Sequence, residues 1–111
     1  MAAPHGDDLL RILAALANPH RLRIVAALAQ ECNYVSRLAR ELNISRALLQ
    51  VHLRKLEAAG LVTARIEVSD DGKAMKFYEV TPFSFPLTPQ AITIAAQTLS
   101  ASSDLEAEAR L

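Results

Sequence analysis

The sequence predicts a mainly α-helical domain carrying one β-hairpin. Three observations predict it. Apolar residues recur at i, i+3, i+4 and i+7 along most of the 111 residues, which is the spacing of amphipathic helices. One segment, Leu61 to Val68, alternates with period two instead and runs into an Asp-Gly turn. Aromatic residues make up 5% of the chain and Trp is absent, so the 51% of hydrophobic residues must build an aliphatic core.

Taken in order, Met1 to Gly6 has no apolar face and is expected to be a disordered tail. A first helix is expected from Asp7 to Ala17. Asp7 and Asp8 suit its positive N-terminal end, and Leu9, Ile12, Leu13 and Leu16 form its apolar stripe. Asn18-Pro19 restarts the chain, because Asn is a favoured N-cap and Pro fits the first helical position. The second helix is therefore expected from Pro19 to Gln30, with Leu22, Val25, Ala26, Leu28 and Ala29 facing inward. Glu31 to Tyr34 reads as a polar connection.

From Val35 to Val62 the pattern is two short helices around a tight turn. Val35, Leu38, Ala39 and Leu42 share one face, and Leu49, His52, Leu53 and Leu56 form the inward stripe of the next helix. Between them Asn43 tolerates the left-handed conformation that ends a helix, and Ser45 caps the following one. This is a helix-turn-helix, a unit that places its second helix in the major groove of DNA. His52, set among leucines, is expected to be a packed, hydrogen-bonded side chain rather than a metal ligand.

After Gly60, Val62, Ala64, Ile66 and Val68 alternate with polar residues as in a half-buried strand. Ser69 to Lys73 supplies the turn, and Met75 to Val80 returns as the second strand. Thr81 to Pro89 holds three prolines and reads as an extended connection pinned to the body by Phe83 and Phe85. Thr88-Pro89 opens a last helix to about Ser100. Its Ala91, Ile92, Ile94, Ala95, Ala96 and Leu99 cover more of the circumference than one core face needs, so either a partner helix or deep packing must cover them, and the partner is preferred. The acidic segment 102–111 is expected to be a tail. The whole is a winged helix-turn-helix with flanking N- and C-terminal helices, one domain over residues 7–101.

The formal net charge is zero, yet it is unevenly spread. Between Arg11 and Lys55 there are eight basic residues against only Glu31 and Glu41, while the wing and the chain ends carry the balancing acids. A basic central block suits phosphate contact. No Gly-rich phosphate loop, HExxH, paired-carboxylate cleft or Cys-His constellation is present, so an enzyme is not expected. No apolar run reaches the roughly 20 residues of a membrane span. The N-terminus has no basic segment followed by an apolar run and reads as no signal peptide. With Cys32 as the single cysteine, the reducing cytoplasm is the expected compartment.

The stretches ALANPHRLRIVAAL (15–28) and LARELNISRALLQVHLRKLEAAGLV (38–62), followed by the hairpin, resemble the ArsR-type (ArsR/SmtB) transcriptional regulators over about Leu9 to Val80. The resemblance implies a homodimer with the first and last helices at its interface, here Leu9, Ile12, Leu13, Leu16, Ile92, Ala95, Ala96 and Leu99. It also implies a double-stranded operator with an inverted repeat and a repressor-like role. Physical chemistry assigns the contacts. Ser45 meets a phosphate at the helix start. Arg46 and Gln50 read base edges, since Arg suits guanine and Gln suits adenine, while Ala47 and Val51 suit thymine methyl groups. Arg54, Lys55, Arg37 and Arg40 act as phosphate clamps, with Arg65, Lys73 and Lys76 on the wing. The family usually carries polar residues where this chain has Leu48 and Val51, which implies an operator recognised more by shape and apolar contact.

The effector is less legible. The family's Cys-x-Cys metal site would fall at Tyr34 and Ser36, neither a thiolate, and the last helix offers no histidine for its paired Asp/His site. Some nickel-sensing relatives use the N-terminal tail, so His5, Asp7 and Asp8 are the remaining candidate ligands for nickel or zinc, with a partner from the other subunit. Cys32 is either a redox switch or a small packed side chain, the latter preferred. Two alternatives stay open: a winged helix used as a protein-interaction module, and a regulator controlled by a protein co-regulator.

Overall fold

A computed structural model describes residues 5–100. The elements are α1 (Gly6–Leu16), α2 (Pro19–Gln30), β1 (Asn33–Tyr34), α3 (Val35–Leu42), α4 (Arg46–Ala58), β2 (Val62–Val68), β3 (Ala74–Val80) and α5 (Pro89–Ala96). Of the expected tail Met1 to Gly6, residues 1–4 lie outside the described residues, as does the acidic tail 102–111, while Gly6 opens α1 instead of belonging to a tail. The chain forms two compact units, one of residues 15–82 and one joining the chain before Ala15 to that from Phe83 onward.

The unit of residues 15–82 holds the helix-turn-helix and the sheet. Asn18 caps α2 as expected, its Oδ1 accepting the N–H groups of His20 at 2.9 Å and Arg21 at 3.3 Å. The inward face of α2 corrects the sequence expectation. Ile24 and Leu28 are buried, whereas Leu22 is 55% exposed and Ala26 and Ala29 are exposed as well. Apolar residues occupy several faces of this helix, so periodicity offered more than one stripe, and packing against the rest of the unit selected one.

Helix α3 ends at Asn43, whose φ of 55° is left-handed, and the N–H groups of Asn43 and Ile44 fold back onto the carbonyls of Arg40 and Ala39. Ser45 then caps α4 by accepting the Leu48 N–H at 3.1 Å. Leu38, Leu49, Leu53 and Leu56 are fully buried, the aliphatic centre expected. Gly60, at φ 77°, turns the chain from α4 into β2.

The sheet has three strands in the order β1-β3-β2, all antiparallel. The expected polar connection at 31–34 is corrected here, because Asn33 and Tyr34 pair with Tyr78 and Phe77 as a short third strand. Asn33 is buried and satisfied: its Nδ2 donates to Glu41 and its Oδ1 accepts the Tyr34 N–H. The alternation of β2 holds only at its base. Val62 is buried, but Ile66 and Val68 are 69% and 70% exposed because the outer half of the hairpin projects beyond the helices of its unit.

In the other unit α1 and α5 meet closely. The Gly6 N–H donates to Thr98 Oγ1 at 2.6 Å, and the Asp7 carboxylate accepts the Ser100 N–H at 2.9 Å. That hydrogen bond holds the Asp7 carboxyl below its usual range. Leu9, Ala91 and Ala95 are buried, and an apolar hollow of about 170 Å³ remains between Leu9, Leu10, Leu13, Ile92, Ala96 and Leu99. Helix α5 stops at Ala96 and closes through a turn rather than running to Ser100. Phe83 and Phe85 stack on one another, with ring centroids 6.4 Å apart, and Phe83 remains 39% exposed.

Candidate nucleic-acid interface

Helix α4 presents a solvent face from Arg46 to Lys55 and an inner face of Leu49, His52, Leu53 and Leu56. His52 is 6% exposed, and its Nδ1 accepts the Nε–H of Arg21 at 3.2 Å. Arg21 also reaches the carbonyl of Ala15 at 3.1 Å. The His20 ring lies 5.3 Å away, tilted by 31°. An acceptor Nδ1 leaves the proton on Nε2, which is buried without a hydrogen-bond partner among the described residues. Burial first, then the charges of Arg21, His20 and Lys55, push the His52 pKa below its usual value. The residue is thus a packed neutral histidine, as its place among leucines predicted.

On the solvent side, Arg46, Gln50 and Arg54 follow at four-residue spacing and line one groove of about 540 Å³. It is also lined by Met75, Lys76 and Tyr78 of the wing strand β3 and by Tyr34 and Ser36. Lys76 Nζ sits 5.4 Å over the Tyr78 ring. A second hollow at the start of α4 collects Ser36, Arg40, Asn43, Ser45 and Arg46. Ser45 Oγ accepts the capping bond, which leaves its hydroxyl proton and the unbonded N–H groups at the start of α4 as donors that suit an anion.

Ion pairs divide the remaining candidates. Arg37 is held by Glu31 and Glu41, each at 3.1 Å. Arg65 is held by Glu67 at 2.9 Å and Glu79 at 2.8 Å, and its Nη2 donates to Cys32 Sγ at 3.3 Å. Among the described residues no carboxylate pairs with Arg40, Arg46, Arg54, Lys55, Lys73 or Lys76. Exposed Ala47, Leu48 and Val51 complete the α4 surface. Sequence reasoning missed Tyr34, Ser36, Met75, Tyr78 and Glu57 as groove residues. Only the pairing of β1 with β3 brings Tyr34 there, and two residues carry no strand signal.

The metal candidates each have a local partner. His5 Nδ1 accepts the Asp7 N–H at 3.2 Å, Asp7 is engaged by Ser100, and Asp8 pairs with Arg11 at 3.0 Å. Among the described residues no group of three His, Cys, Asp or Glu is placed to hold a metal ion. The expected nickel or zinc site of His5, Asp7 and Asp8 also calls on a donor from the other subunit, which a single chain does not supply.

A helix-turn-helix with a three-stranded wing and an open cationic groove beside its second helix is a DNA-binding module, and no single helix among the described residues is long and apolar enough to cross a membrane. A family model described as a helix-turn-helix domain matches residues 16–65. The chain is 34% identical over 85 residues to the uncharacterized HTH-type transcriptional regulator MJ0229 of Methanocaldococcus jannaschii, covering 77% of this chain and 88% of that protein. It superposes on the solution structure of Mb0332 from Mycobacterium bovis, described as a homodimeric winged helix-turn-helix domain of a possible ArsR-family regulator. That match has a TM-score of 0.61 and 26% identity and covers 82% of this chain and 74% of the other. For NolR of Sinorhizobium fredii the TM-score is 0.59 at 27% identity, over 82% of this chain and 80% of that one. The chain belongs to the HTH-type transcriptional regulators, and the winged helix-turn-helix structures it resembles include ArsR-family regulators. It is a DNA-binding regulator, not an enzyme.

Proposed function

We propose that this protein is a homodimeric, repressor-like regulator that binds an inverted-repeat operator in the cytoplasm. One observation carries the reading: among the described residues Arg40, Arg46, Arg54 and Lys55 around α4 have no carboxylate partner, while Arg37 and Arg65 are paired locally. Cations kept free beside a groove suit phosphates, which supply most of the affinity. Arg46 and Gln50 then read base edges from the groove side, and Lys76 meets the backbone from the wing.

The dimer is supported by the α1–α5 unit. Ile92 and Leu99 of the apolar hollow are each 47% exposed, and Leu13 lies beside them. A second copy that covers this surface also doubles the contacts of a recognition helix that reads only a few base pairs, with half-sites about one helical turn apart. A nickel or zinc response would draw on His5, Asp7 and Asp8 together with a donor from the second copy.

A mobility-shift titration on duplexes selected from a random pool tests the reading. Affinity should fall steeply with salt, and Arg46→Ala combined with Gln50→Ala should abolish sequence preference while sedimentation still shows a dimer. An unchanged preference removes Arg46 and Gln50 as base readers. A salt-independent interaction with no duplex enriched favours a protein-interaction module instead.

A further inference from the structure

The inner face of α4 is aliphatic except at one place. Leu49, Leu53 and Leu56 are fully buried, and His52, buried with them, interrupts their stripe. Its Nδ1 accepts the Nε–H of Arg21 on α2 at 3.2 Å, while its Nε2 is buried with no hydrogen-bond partner among the described residues. Arg21 is itself anchored, because its Nη1 donates to the Ala15 carbonyl at 3.1 Å. The His20 ring lies 5.3 Å from that of His52. A leucine here would extend the stripe and leave no polar atom unpaired, so the imidazole is present at a cost in stability. What it adds is a polar tie between α2 and α4.

We propose that the cluster of His52, Arg21 and His20 is a proton-operated switch on DNA binding, in which neutral His52 ties α4 to α2 and its protonation releases DNA. This rests on the reading of α4 as the helix that meets DNA. The neutral ring offers Nδ1 as an acceptor, whereas the protonated ring carries N–H on both nitrogens and has none to offer. Arg21 then faces a second cation, with His20 beside it and Lys55 one turn along α4. Helix α3 and strand β2 also pack against α4, yet among the described residues no carboxylate of theirs offsets the charge. Burial opposes the charged ring as well. The proton is accommodated only when α4 moves away from Arg21 and water enters. Arg46, Gln50 and Arg54 belong to the same helix, so their places in the groove move with it.

Fluorescence anisotropy, on a duplex that the full chain selects from a random-sequence pool at pH 7.5, reads the affinity at pH 7.5 and 5.5, referred to the folded fraction seen by circular dichroism. Affinity should fall about tenfold between the two, since a proton that must leave before binding is worth up to about tenfold per pH unit. A simple gain of positive charge in acid acts the other way and tightens binding. His52→Gln keeps an acceptor for Arg21 that takes up no proton, so it should bind at pH 7.5 and lose the fall. Nuclear magnetic resonance of the His52 ring in the unmutated protein should show proton uptake at lower pH in the DNA complex than in the free protein. Affinity that is unchanged or higher at pH 5.5 overturns the switch and leaves DNA binding intact, and so does a ring that titrates at the same or a higher pH when DNA is bound. A fall retained in full by His52→Gln overturns the assignment to His52. If no duplex is enriched from the pool, the DNA-binding reading fails and the switch with it.

Discussion

The Nε–H of Arg21 on α2 donates to Nδ1 of His52 on α4 at 3.2 Å, tying the helix before the helix-turn-helix to the inner face of the recognition helix. A donor already aimed at Nδ1 cannot be reconciled with a second proton there, so the contact requires a neutral imidazole. Protonation sets a cation against the Arg21 guanidinium, with His20 and Lys55 adding to the repulsion.

Stability should consequently depend on pH in a defined direction. The unfolded chain takes up a proton on His52 near the usual value of 6.5, while in the folded chain the pKa lies lower. The unfolded state binds more protons in that window, so the His52 contribution is present above about pH 6.5 and is lost as pH falls through the folded pKa. Urea midpoints should decrease from pH 7.5 to 5.5, and His52→Leu should flatten that slope. An equal slope in the variant would place the proton uptake elsewhere.

Ion pairing should sort the arginines by their effect on DNA affinity. Arg54→Ala should weaken binding to all duplexes alike and reduce the salt slope by about one for each phosphate that Arg54 neutralises. Arg65→Ala removes a cation already shared by Glu67 and Glu79 and should leave the salt slope unchanged. Slopes measured by fluorescence anisotropy at several salt concentrations separate the two, and a much weaker affinity for Arg65→Ala would mean that Arg65 changes partners on DNA.

Gly6 is required by close approach rather than by a turn. A Cβ there would lie 2.1 Å from the Ala95 carbonyl oxygen and 2.9 Å from Leu99 Cγ. Gly6→Ala should force α1 and α5 apart and cost about 1–3 kcal/mol in chemical denaturation. Sedimentation should show the dimer weakened in parallel, because α5 and the turn after it carry the exposed Ile92 and Leu99. A variant of wild-type stability would show that the helices can shift at no cost.

Much of this molecule was legible from the chain alone, for reasons that are local. Asn18-Pro19, Asn43, Ser45 and Thr88-Pro89 mark helix ends because capping and left-handed backbone need only neighbouring residues. The hairpin followed from alternation and a Gly at φ 82° in its turn. The inward leucines of α4 followed from periodicity, and with them the position of His52.

What sequence left undecided depends on residues brought together from a distance. Ile24 rather than Leu22 faces the core because α2 had several apolar stripes and only packing ranks them. Strand β1 exists because β3 offers it an edge at Tyr78 and Phe77. Arg37 and Arg65 look in sequence like Arg46 and Arg54, yet Glu31, Glu41, Glu67 and Glu79 neutralise the first two and leave the others available. The sequence by itself determined a winged helix-turn-helix and the inward and outward faces of α4, because capping, turns and periodicity act within a few residues. Only the tertiary structure decided which cations remain unpaired and which side chains stand foremost, because pairing and burial are settled by neighbours that the chain does not place side by side.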